Sequence, residues 1–112
     1  MEIDVLSDGT QHCVRLTGVL DSQGAARIYD ELVSLALRAS APVILEMSAV
    51  SDATRAGCGL IFTVARLLHR RPNAKLSIVG ADPSALAILI GSGRDHLIAV
   101  QTSHAAFVSQ AA

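Results

Sequence analysis

Apolar and polar positions change their period several times along this chain, and each change marks an element. "EIDVLSD" reads as a first strand, and in "HCVRLTGVL" Cys13 and Arg15 alternate with Val14 and Leu16, the period of two that a strand shows. Asp8-Gly9 between them is a hairpin turn, and so short a connection makes the pair antiparallel. In "DSQGAARIYDELVSLALRAS" the period becomes helical: Ile28, Leu32 and Leu35 recur at i, i+4 and i+7, with Asp21 or Ser22 as N-cap. Pro42 ends that segment and opens the apolar strand "PVILEMS". A second helix is expected from about Ala56 to Arg70, with Ile61, Val64, Ala65 and Leu68 inward.

After a turn at Asn73 comes the strand "AKLSIVG", then a third helix in "ADPSALAILIGSG". Asp82 caps that helix, Pro83 occupies its first turn, and Gly91 or Gly93 ends it. "HLIAV" reads as a short last strand and "SHAAFVSQAA" as a short terminal helix. No repeat, low-complexity tract or linker interrupts the order. The alternation predicts an α/β fold, a small mixed, mostly parallel β-sheet with about four helices.

Composition narrows the function classes. With 112 residues, 51% of them apolar, residues 1–112 are expected to form one domain with a real core. A net charge of −1 gives no long-range attraction for nucleic acid or anionic lipid. The one dense basic stretch, "RLLHRRP" from Arg66 to Pro72, falls where a helix ends, and cations suit that end of the helix dipole. Cys13 and Cys58 form no CxxC, and His12, His69, His96 and His104 show no metal-ligand spacing, so neither metal nor cofactor is expected. Nothing asks for a disulfide, which fits a reducing cytoplasm. "MEIDVLSDG" lacks the apolar run of a signal peptide, and no stretch approaches the roughly 18 apolar residues that span a bilayer. The expectation is a cytoplasmic protein with no direct membrane insertion.

Three segments, "VRLTGVLDSQGAARIYDEL", "VILEMSAVSDATRAGCGLI" and "KLSIVGADPSALAILIGSG", together resemble the STAS domain, the family of bacterial anti-sigma factor antagonists. The first is similar to the strand that ends in a Gly-x-Leu-Asp turn. The second is similar to a strand, a Ser-Gly-Val loop and a helix that starts at Asp-Ser-Ser-Gly-Leu. The third is similar to the strand and helix that follow. The resemblance is strongest over residues 10–100. It implies the STAS fold, no enzymatic activity, and binding to a serine kinase of the histidine-kinase-like ATPase type that doubles as an anti-sigma factor. In that family, phosphorylation of a Ser at the start of the second helix breaks the binding. Other members are accessory subunits of phospholipid-trafficking ABC transporters, where the partner is a transporter ATPase.

The motif departs from the family where the switch belongs. Aligned without a gap, Glu46 takes the place of a common Asp, Ser48-Ala49-Val50 matches Ser-Gly-Val, and Thr54-Arg55-Ala56-Gly57 falls on Asp-Ser-Ser-Gly. Arg55 then stands at the phosphoacceptor position. A shifted frame that pairs Gly59-Leu60 with the family's Gly-Leu puts Gly57-Cys58 on the two serines. Neither frame leaves a serine there. Thr54 is the substitute acceptor, with Ser51 and Ser48 behind it, but Thr directly before a helix is also an ordinary N-cap. Arg55 in a first helical turn opposes the dipole; it is either a solvated side chain or a ligand for an anion held with the N–H groups of Ala56 and Gly57. Asp21 matches the Asp that ends the family's second strand, and either caps the first helix with Ser22 or faces the partner. Gly57 and Gly59 make a bare GxG, too little for a nucleotide loop.

No nucleophile with a base, paired carboxylates or metal site is present, so an enzyme is not expected. The expected function is a protein-interaction module that binds its partner through Asp21, Ser48, Ser51, Asp52, Thr54, Arg55, Ala56 and Gly57. The transporter subunit stands as the alternative.

Overall fold

A computed structural model describes residues 1–71, 73–91 and 98–101. Within them the order is β1 (Glu2–Ser7), β2 (His12–Leu20), α1 (Ser22–Arg38), β3 (Val43–Ala53), α2 (Arg55–His69), β4 (Leu76–Val79), α3 (Pro83–Gly91) and β5 (Ile98–Gln101). The five strands lie in sequence order, β1 antiparallel to β2 and the rest parallel. This is the expected mixed, mostly parallel sheet. Three of the about four expected helices fall among the described residues; the one over "SHAAFVSQAA" lies outside them.

The β1–β2 hairpin closes between Ser7 and His12. Asp8 organises its turn: Oδ1 accepts the N–H groups of Thr10 at 2.9 Å and Gln11 at 3.0 Å, while Gly9 takes a φ of 87° that other residues avoid. From β2 onward each strand pairs with the next in sequence, always parallel. Right-handed crossovers repeated in one direction put every connecting helix on the same face. Accordingly α1, α2 and α3 share one core with Val14, Leu16, Leu45, Met47, Leu76 and Ile78. The alternate positions Cys13, Ile44 and Val79 form a separate small cluster on the other face. The alternation read between Cys13 and Val14 is thus the boundary between two faces of one sheet.

Helix α1 buries Ile28, Leu32 and Leu35 and leaves Tyr29 and Leu37 exposed. Removing a fully buried side chain such as Leu32 should cost about 2–5 kcal/mol. The helix ends without a glycine, and its carbonyls find a partner elsewhere. Arg71, from the basic stretch after α2, donates to the carbonyls of Leu37 and of Ala39, the latter at 3.1 Å. Part of that stretch therefore serves the C-terminus of α1, whereas Arg66 and His69 lie in the last turn of α2 itself. Among the described residues no helix is long and apolar enough to cross a membrane.

Candidate functional site

Parallel topology brings all three helix starts to one edge of the sheet, where the C-terminal ends of β2, β3 and β4 meet solvent. Each start is capped by a side-chain oxygen. Asp21 Oδ1 accepts the Gly24 N–H at 2.7 Å, Thr54 Oγ1 accepts the Gly57 N–H at 3.1 Å, and Asp82 Oδ1 accepts the Ala85 N–H at 2.8 Å. Such an edge is where open α/β sheets place their binding surfaces. Asp21 rather than Ser22 is the cap of α1.

The start of α2 is fixed by a close backbone approach. The Thr54 N–H donates to the Leu20 carbonyl at 3.0 Å, tying the end of β3 to the end of β2. A Cβ built on Gly57 would overlap that same Leu20 carbonyl oxygen, and would lie 2.9 Å from Asp21 Cα. Gly59, by contrast, has nothing within 4 Å of its missing Cβ. Only Gly57 is required by packing, and Thr54 is the residue that caps. Thr54, Arg55 and Ala56 are exposed while Gly57 and Cys58 are buried. Burial pushes the Cys58 thiol above its ordinary value, so it stays protonated against the core.

The stretch from Ser48 to Ala53, matched at its start to the family's Ser-Gly-Val loop, is the second half of an irregular strand. β3 runs to Ala53, and its pairing with β2 slips twice, between Arg15↔Glu46 and Thr17↔Ala49, and again between Gly18↔Val50 and Val19↔Asp52. Each slip inserts one extra residue into β3, the signature of a β-bulge. The bulges let the strand continue by turning its polar residues to solvent. Ser48, Ser51 and Asp52 are exposed on this segment, and Val50 between them stays in the core. The Asp52 carboxylate accepts the Ala53 N–H at 3.0 Å.

The first bulge has its own support, which the sequence hid. Glu46 is 2% exposed, and its Oε1 accepts the Ser48 N–H at 2.6 Å. Gly80, at the end of β4 with a φ of 74°, leaves room for this bond: a Cβ there would stand 2.9 Å from Glu46 Oε1 and 3.0 Å from the Ser48 nitrogen. Glu46 and Gly80 position the segment. The one available signal was the glycine that follows "SIV".

The structure therefore brings Asp21, Thr54, Arg55, Ala56 and Gly57 together at the twin starts of α1 and α2. Ser48, Ser51 and Asp52 lie along the adjoining strand. The result is an exposed polar ridge.

Comparison with known families and structures places the chain. The family model described as "Mlab, STAS domain" matches residues 3–100. Among solved structures, an anti-sigma-factor antagonist (STAS) domain protein from Planctomyces limnophilus superposes with a TM-score of 0.76 at 11% identity, covering 98% of this chain and 98% of that one. The anti-sigma factor antagonist SpoIIAA in its unphosphorylated form gives 0.74 at 12% identity, with 98% and 96% covered. The Bacillus cell fate determinant SpoIIAA in its phosphorylated form gives 0.72 at 16%, with 99% and 100% covered. At these identities the likeness speaks for the fold alone. The search of curated proteins finds no match.

Proposed function

This chain belongs to the STAS domain family, and from that premise we propose that it is a non-enzymatic, cytoplasmic interaction module of the anti-sigma factor antagonist type. Its partner is a kinase-type anti-sigma factor built on a histidine-kinase-like ATPase. The contact runs over Asp21, Thr54, Arg55, Ala56 and Gly57, with Ser48, Ser51 and Asp52 beside them. One observation carries the reading: Arg55 is exposed in the first turn of α2, directly after the Thr54 cap.

A phosphate on a serine at that place adds negative charge, whereas Arg55 adds positive charge. If negative charge is the signal that ends binding, this chain is held in the binding-competent state. Thr54 supports the same conclusion, because its oxygen is engaged in capping Gly57. The expected outcome is that incubation with the partner kinase and ATP leaves the intact mass unchanged. Phosphate found on Thr54 would restore a switch one residue early.

A second reading, an accessory subunit on the ATPase of a phospholipid-trafficking ABC transporter, is favoured by the same Arg55. A subunit that stays on its ATPase has no use for a phosphoacceptor. Affinity purification of the tagged protein from its native cells, with mass spectrometry, separates the two by which ATPase is recovered. In either complex Arg55→Glu should weaken binding by about tenfold. Unchanged affinity would remove Arg55 from the interface.

A further inference from the structure

The solvent face of α2 carries cations at both of its ends. At about 100° per residue, Arg55, Ala56, Gly59, Thr63, Arg66 and Arg70 fall within an arc of about 100°. Arg55, Arg66 and Arg70 are exposed, and none of their side chains has a hydrogen-bond or ion-pair partner among the described residues. The helix itself, "RAGCGLIFTVARLLH", contains no Asp or Glu. The helix dipole accounts for Arg66 near the C-terminus but opposes Arg55, and Arg66 and Arg70 repel each other at i, i+4. Free cations are thus kept on one face at some cost to the helix.

Between the cations the face is low. Ala56 is small, Gly59 has open space over its Cα, and the Thr63 hydroxyl turns back to donate to the Gly59 carbonyl at 3.0 Å. The uncharged bed extends about 16 Å from Arg55 to Arg66, at about 1.5 Å per residue. We propose that this face receives an acidic helix of the partner protein, with carboxylates meeting Arg55 at one end and Arg66 and Arg70 at the other. The inference rests on the reading of the α2 start as the partner surface and extends that surface down the helix.

Charge spacing favours a protein over other anions. Duplex nucleic acid presents a charge about every 1.7 Å and rewards closely spaced cations, not two groups separated by a neutral bed. An anionic membrane would call for large apolar residues beside the arginines, and this arc holds none. The net charge of −1 also supplies no general attraction for a polyanion.

The test is NMR titration of the isotopically labelled full chain with a synthetic alanine-based helical peptide. The peptide carries one glutamate and, about eleven residues on, a pair spaced by about four, matching the arginines. Amide shifts should centre on Ala56, Gly59, Thr63, Arg66 and Arg70. They should fade on going from about 0.1 M to about 0.5 M NaCl, and be absent with a lysine version of the peptide. Arg66→Gln/Arg70→Gln, both exposed, should bind about tenfold more weakly, with a melting temperature lowered by no more than the small loss of favourable charge at the helix C-terminus.

Absence of shifts on α2 overturns the proposal, as does tighter binding of a short DNA duplex or of phosphatidylglycerol vesicles to the same face. The peptide needs no natural partner. Failure here with an ATPase still recovered from cells therefore rejects the acidic-helix inference alone. Shifts on α2 with no ATPase recovered reject the reading of function instead.

Discussion

The starts of α1 and α2 are built alike and charged oppositely. In each, a capping residue is followed three positions later by a glycine whose N–H the cap accepts: Asp21 to Gly24, and Thr54 to Gly57. In each, that glycine lies so close to the end of β2 that a Cβ would overlap a backbone carbonyl, Val19 for Gly24 and Leu20 for Gly57. The first cap is a carboxylate followed by Ser22 and Gln23; the second is a hydroxyl followed by Arg55. Geometry at this edge is therefore set by backbone proximity, which both helices share. Charge is set separately, and it distinguishes the one start from the other.

The largest expected effect tests the shared geometry. Gly57→Ala places a methyl on the Leu20 carbonyl and must shift the helix away from the sheet, at a cost of about 3 kcal/mol. Gly59→Ala, two residues on, meets nothing. It should be neutral or stabilising by up to about 1 kcal/mol, since alanine favours the helix over glycine. Urea denaturation of the two variants checks both signs at once. A tolerated Gly57→Ala would mean that the close approach does not fix the start of α2.

The caps come next. Asp21→Ala and Thr54→Ala each strand a helix N–H, and each should lower stability by about 1 kcal/mol in the same assay. Asp21→Asn and Thr54→Ser keep an acceptor and should recover most of it. A loss at Thr54 rescued by Ser would show capping as its stability role, whatever a kinase does to it. No loss would leave that hydroxyl without a structural task.

Most of this edge could be read from residue types. Asp21, Thr54 and Asp82 stood before helical periods, and Ile28, Leu32 and Leu35 marked the buried face of α1 as they now lie. The STAS resemblance set Arg55 against the phosphoacceptor position, and the structure has it exposed in the first turn of α2. What stayed hidden depends on partners distant in sequence. Ser48-Ala49-Val50 matched a family loop, whereas two slips against β2 keep these residues, and those up to Ala53, in the strand. Glu46 looked like a conservative replacement, but its role rests on the Ser48 N–H and on space left by Gly80. Arg71 looked like a dipole cation for α2, while its bonds go to α1 more than thirty residues back.

The smallest effect bears on the difference in charge. Replacing Arg55 with Glu substitutes an anion for a cation in the first turn of α2, where the exposed helix N–H groups favour negative charge. Stability should rise by about 0.3–1 kcal/mol, and the gain should shrink with added salt because the side chain is exposed. Partner affinity should move the other way. A surface residue whose replacement improves the fold and impairs the complex contributes to the complex rather than to the fold. Paired measurement of denaturation and binding decides the point. If Arg55→Glu stabilises the chain and leaves binding intact, the cation is an ordinary solvated side chain. The oppositely charged starts of α1 and α2 would then carry no functional meaning.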